Sequence, residues 1–185
     1  MGKRVLIVHR YGGGAASDWY AWLRGMLEAR GFEVMLPEMP SMDGIYSKPW
    51  VDTIKGVVKT VDADTYFVGH DFGCFAILKF IDSLFGEQRA GGAVFIAPYM
   101  ISERLNFEKI RISAGRMVAV FAKDDPLVPV SDSVVFDKEL GATVTIMPLK
   151  THFLDKEGYT ELHIALNELL KIAGLAEAEN GPGEI

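Results

Sequence analysis

Three residues have the types and spacing to share one reaction: Asp71, Asp125 and His152. Asp71 is the centre of Gly69-His70-Asp71-Phe72-Gly73, a G-x-D-x-G pattern between an apolar run at 66–68 and an apolar segment at 74–85. That layout predicts a strand, a sharp turn and a helix, with the residue between the glycines projecting from the turn. Glycine on both flanks lets the strand and helix backbones approach closely. A carboxylate so placed can attack carbon and form an ester. An imidazole can then take a proton from the water that cleaves that ester, and a second carboxylate can hold the imidazole. His152, in Leu-Lys-Thr-His-Phe, and Asp125, in Asp-Pro-Leu-Val-Pro, supply that pair. Asp124 is the alternative to Asp125, and the spacing to Val128-Pro129 favours Asp125. The amides after Asp71, beginning with Phe72, open a helix and face a developing negative charge.

The elements that must position these residues follow from apolar periodicity. Continuous apolar or β-branched runs at 5–8, 32–36, 66–68, 93–97, 117–122 and 143–147 predict six buried strands. Helical spacing predicts a helix from a cap at Ser17 or Asp18 to Gly31, and others at 50–61, 74–85, 131–140 and 159–172. Strands alternating with helices predict an α/β fold: a six-stranded parallel sheet, order 2-1-3-4-5-6, with helices on both faces. Asp71, Asp125 and His152 follow the third, fifth and sixth strands, so all three are expected at the carboxyl edge, where such sheets bind ligands. Residues 98–116 are weakly patterned and too few for a large cap domain. One domain over 1–175 and a flexible tail at 176–185 complete the expected organisation.

Composition narrows the function classes. A net charge of −6 argues against a nucleic-acid protein. Cys74 is the only cysteine, which excludes an intramolecular disulfide and cysteine-rich metal sites. Four dispersed histidines lack metal-ligand spacing, so no metal and no cofactor is expected. Gly12-x-Gly14-x-x-Ser17 lacks the third glycine of a dinucleotide loop. The apolar stretch before His9 is too short for a signal core or membrane span, so the expectation is a cytoplasmic protein with a small-molecule substrate and no membrane partner.

Taken together, several stretches resemble a known family. They are the first strand ending at His9, Trp19-Tyr20-Ala21-Trp22-Leu23, Leu36-Pro37-Glu38-Met39-Pro40, Trp50, Gly69-His70-x-x-Gly73-Cys74, Asp124-Asp125-Pro126-Leu127-Val128-Pro129 and His152-Phe153. The chain resembles the small, lidless α/β-hydrolases of the YdeN and retinoblastoma-binding protein nine type over nearly its whole length. The resemblance implies a three-layer α/β-hydrolase fold, esterase-type serine hydrolase ancestry, and catalytic roles for positions 71, 125 and 152. It also places Arg10, Tyr11, Phe72 and His70 at the oxyanion-binding loop or pocket. Three positions depart from the family pattern: Asp71 where the family has the nucleophilic Ser, Arg10 where it has Gly after His9, and Thr151 where Gly precedes the catalytic His. Gly-His-Asp-x-Gly also resembles the elbow of haloalkane dehalogenases and epoxide hydrolases, which carry a cap that 98–116 cannot provide. Trp50 and Tyr99 are the candidate donors to a leaving group. Two functions stand side by side: a hydrolase working through Asp71 on a small ester or electrophilic carbon, and a non-catalytic relative binding a small molecule or protein in the same pocket. The sequence leaves open whether Asp71 is natural or an introduced replacement of Ser.

Overall fold

A computed structural model describes residues 2–41 and 43–175; the tail expected at 176–185 lies outside the described residues. Six strands form one sheet: β1 (Arg4–Val8), β2 (Glu33–Met35), β3 (Thr65–His70), β4 (Gly92–Ile96), β5 (Arg116–Ala122) and β6 (Thr143–Met147). Every pairing is parallel, and the order is β2-β1-β3-β4-β5-β6, as the strand–helix alternation predicts. Five α-helices cover it: α1 (Tyr20–Glu28), α2 (Lys48–Val57), α3 (Phe72–Asp82), α4 (Phe107–Ser113) and α5 (His163–Ile172).

The period of two along each strand divides the core into two layers. Leu6, Val8, Phe67, Phe95, Ala119 and Phe121 pack toward α2, α3 and α4. Val5, Ile7, Val68, Val94, Ile96, Val118 and Val120 pack toward α1 and α5, against Leu23, Leu27, Leu166 and Leu169. Burial on both faces is why these strands read as unbroken apolar runs.

Several expected boundaries need correction. α1 starts at Tyr20 with no side-chain cap, and Asp18, in a left-handed conformation at φ 52°, turns its carboxylate elsewhere. α2 starts two residues before Trp50, where Pro49 fits the first turn because no intrahelical N–H is needed there. α3 stops at Asp82, and the apolar residue Phe85 beyond it is 79% exposed. The stretch 131–140 is a short 3₁₀ turn and a π-helical turn, Val135–Glu139, in place of an α-helix. The wider turn buries Phe136 against Phe95 and Phe121 while Val134 stays 58% exposed. The weakly patterned 98–116 holds α4, which packs beside α3, and no cap domain. α5 begins at His163, after the 3₁₀ turn Asp155–Glu157. His163 itself is exposed at the start of α5, with its ring edge-on to Trp22.

Candidate active site

Asp71 sits in the turn between β3 and α3 at φ 53° and ψ −124°, a conformation disfavoured for a residue with a Cβ. Its backbone is held from both sides: its N–H donates to the Ile96 carbonyl at 3.0 Å, and its carbonyl accepts from Cys74 at 3.1 Å and Tyr99 at 3.2 Å. The flanking glycines are sterically required. A Cβ on Gly73 would lie 2.4 Å from the Val8 carbonyl oxygen, and one on Gly69 would lie 2.8 Å from Cys74 Cα. The side chain is thereby pushed out at the carboxyl edge, although Asp71 remains only 8% exposed.

The two carboxylate oxygens of Asp71 have different surroundings. Oδ2 accepts the Tyr11 backbone N–H at 3.0 Å. The Phe72 backbone N–H also favours the charged form of this carboxylate. Oδ1 lies 3.6 Å from His152 Nε2, within ion-pair range and beyond a hydrogen bond. His152 is 1% exposed, and Nε2 has no hydrogen-bond partner among the described residues. On the other edge of the ring, Nδ1–H donates to Asp125 at 2.9 Å to Oδ2 and 3.1 Å to Oδ1. Asp125 Oδ1 is itself held by the amides of Leu127 at 2.8 Å and Val128 at 3.0 Å. Asp124 is exposed, and it is Asp125 that faces the ring.

Burial opposes a charged His152 ring, but the hydrogen bond to Asp125 and the nearby Asp71 outweigh it and raise the pKa to about 9. Burial likewise pushes the Asp71 carboxyl up, and His152 with the Phe72 amide more than reverses this, leaving it below the ordinary carboxylate value. At neutral pH Asp71 is therefore a carboxylate and His152 an imidazolium.

His152 is fixed through its backbone as well as its ring. Its carbonyl accepts from His70 Nε2 at 2.8 Å, and its N–H donates to Glu157 Oε2 at 2.9 Å. The same Glu157 oxygen accepts from the Thr151 hydroxyl at 2.8 Å and the Leu154 amide at 3.1 Å. These bonds hold the turn in which Phe153 takes φ 59°. A carbonyl only accepts, so His70 carries its proton on Nε2. Its Nδ1 then accepts from the Tyr20 hydroxyl at 2.6 Å. Burial first, and then the charge on His152, lower the His70 pKa to about 4, so the ring is neutral. His9 is neutral too: burial lowers its pKa, Nδ1–H donates to the Arg10 carbonyl at 2.8 Å, and Nε2 accepts the Met39 amide at 2.9 Å.

Two residues expected at the pocket, His70 and Arg10, turn their side chains elsewhere, and Trp50 lines the cavity beside Tyr11 without a free donor. His70 is fully buried behind the site and supports the His152 loop. The Arg10 side chain turns away to Asp18 at 2.8 Å, and its amide donates to the Tyr20 hydroxyl at 3.1 Å; the amide on Asp71 belongs to Tyr11. Trp50 Nε1–H donates to the Pro40 carbonyl at 2.9 Å, so it is not a donor to a leaving group. Tyr99 meets Asp71 through its backbone N–H. Asp18, Tyr20, Thr151 and Glu157 were not singled out as site residues. Beside Tyr11 lies a cavity of about 160 Å³, bounded by His9, Met39, Pro40 and Trp50 among others. Among the described residues no cluster of three His, Cys, Asp or Glu could hold a metal, and no helix is long and apolar enough to cross a membrane.

This fold, with a strand–turn–helix elbow and an acid and a histidine at one sheet edge, defines a hydrolase of the α/β-hydrolase fold. The profile of the serine hydrolase family matches residues 5–171, and the chain belongs to that family. It is similar to YdeN of Bacillus subtilis (strain 168), with 30% identity over 181 residues, covering 91% of this chain and 95% of that one. The crystal structure of the B. subtilis ydeN gene product superposes with a TM-score of 0.87 at 28% identity, over 93% of this chain and 99% of that chain. Est1E from Butyrivibrio proteoclasticus shares the fold with a TM-score of 0.69 at 14% identity, over 94% of this chain and 89% of that chain.

Proposed function

We propose that this protein hydrolyses a small molecule at an electrophilic carbon through an ester on Asp71, which stands where the family has its nucleophilic Ser. Asp125 and His152 act as the orienting acid and the proton carrier. The observation that carries this reading is the split environment of the Asp71 carboxylate, with Oδ2 on the Tyr11 amide and Oδ1 toward His152. A carboxylic ester would need backbone N–H donors for its own carbonyl oxygen. Here the Tyr11 amide already serves Asp71. A saturated carbon needs no such donors, because its charge departs on the leaving group.

In the first step Oδ1 forms a bond to carbon as the carbon–leaving-group bond breaks. With a strained cyclic ether, the proton on His152 Nε2 passes to the departing oxygen, leaving a neutral imidazole. That imidazole then takes a proton from water as the water oxygen adds to the Asp71 ester carbonyl. The carbonyl oxygen is Oδ2, already held by the Tyr11 amide, which stabilises the charge that develops on it. Collapse releases the alcohol and restores the carboxylate and the imidazolium. With an alkyl halide no proton is consumed in the first step, so His152 must lose its proton to solvent before it can act as a base. The cavity beside Tyr11 suits an uncharged substituent, since both His9 and its aromatic walls are neutral. A single domain over 1–175 in a reducing, cytoplasmic setting fits the one free thiol, Cys74.

The test is intact mass and peptide mapping after incubation with a small epoxide, with an alkyl halide, and separately with a fluorophosphonate. Expected are diol formation from the epoxide, an alkyl adduct on Asp71 from the halide, and no fluorophosphonate adduct. A single turnover in ¹⁸O-water should place the label in the Asp71 carboxylate. If neither product nor adduct forms, the covalent reading fails and the pocket is a binding site only.

A further inference from the structure

Among the described residues, Asp18 is the one buried carboxylate that the mechanism above does not use. Its side chain is fully buried, and its backbone is in the left-handed region at φ 52°. Such strain at a residue with a Cβ persists only where the surroundings require it. Helix capping is not the reason, because α1 has no side-chain cap. The carboxylate instead joins two loops. Oδ2 accepts Arg10 Nε–H at 2.8 Å, and Oδ1 accepts the Asp155 backbone N–H at 2.9 Å. Arg10 immediately precedes Tyr11, whose amide lies on Asp71. Asp155 lies three residues after His152, in the turn that Glu157 closes onto the His152 amide.

Two residues further on, Tyr20 repeats the pattern. Its hydroxyl accepts the Arg10 N–H at 3.1 Å and donates to His70 at 2.6 Å, and His70 donates to the His152 carbonyl at 2.8 Å. The segment 18–20 therefore holds the loop after β1 and the loop after β6 by separate hydrogen-bonded routes, and both routes begin at Arg10. From this we infer that Asp18 is a positioning residue that ties the Tyr11 amide and the His152 ring into one unit across Asp71. The inference rests on the reading of Tyr11 and His152 as working parts of the site.

Its test needs no turnover, so it fails or succeeds independently of the ester mechanism. Nuclear magnetic resonance of the resting full chain reads two signals: hydrogen exchange at the Tyr11 amide, and the downfield Nδ1–H of His152 bonded to Asp125. Asp18→Ala removes both bonds, and it should speed Tyr11 exchange and abolish the slow-exchanging His152 signal. Asp18→Asn keeps the size and one carbonyl oxygen to accept from Asp155 but loses the carboxylate that pairs with Arg10. It should disturb Tyr11 more than His152. A lower Tm with both signals unmoved would mean that the carboxylate is only a structural ion pair, and the inference is overturned. If the Ala variant does not fold, the Asn variant decides by the same two signals.

Discussion

Around Asp71 the charges balance in a way that fixes how stability depends on pH. The His152 pKa is raised to about 9, so its stabilising contribution is full below the unfolded value of 6.5 and is lost as pH rises through the folded one. The contribution is on the order of 3 kcal/mol, from about 1.4 kcal/mol per pKa unit. His70 runs the other way: with a native pKa of about 4 against 6.5 unfolded, it destabilises the fold as pH falls through that window. Stability is thus expected to peak near about pH 6.5 in urea titrations across pH. Asp71→Asn keeps the shape but removes one carboxylate beside the ring. Its His152 pKa, read by ring resonances, should fall and the alkaline limb should flatten; an unchanged pKa would show that the two groups are not coupled. A second substitution addresses the amides. Asp71→Ser frees the Tyr11 and Phe72 N–H groups for a substrate oxygen, so the variant should hydrolyse p-nitrophenyl acetate and take up a fluorophosphonate. Oxyanion donors of this kind are typically worth about 10²–10³ in rate. A folded variant with neither property would remove positions 11 and 72 from the oxyanion role.

Among the elements, the elbow depends most on one side chain being absent. Gly73→Ala would drive a Cβ against the Val8 and His9 carbonyl oxygens, at 2.4 and 2.6 Å, both of them backbone. The expected loss is about 3 kcal/mol in urea unfolding, since neither β1 nor α3 can move without disturbing the sheet. Legibility also differs by element. Strands at 5–8, 93–97 and 117–122 were readable because both faces are covered. α4 was not, because its two turns bury only Ile110 and Ser113, too few to show a helical period. The stretch 74–85 misled in the opposite sense: Leu84 is buried although the helix has already ended. In the site, residues placed by strand ends were readable, and those placed by long-range bonds were not. Tyr11 contributes an amide, which every residue type but proline offers, so nothing in the sequence distinguishes it from Arg10. Asp18, Tyr20 and Glu157 act through partners on loops distant or unmarked in sequence, and Ser17 and Asp18 both read as candidate caps because Ser and Asp are common capping residues.

At the scale of the molecule, two core layers share one sheet. A chain built this way is expected to unfold in one calorimetric transition, with van't Hoff and calorimetric enthalpies equal. Two separated transitions would contradict one domain over 1–175. The lack of a cap has a kinetic meaning. In many enzymes of this chemistry a lid must open before product leaves, and that motion limits turnover. Among the described residues α4 lies against α3, and no cap domain follows β4. Bond making and breaking, rather than gating, should therefore set the pace. Thickening the solvent with sucrose should leave kcat unchanged, whereas a kcat falling in proportion to viscosity would reveal a closure that this architecture does not provide.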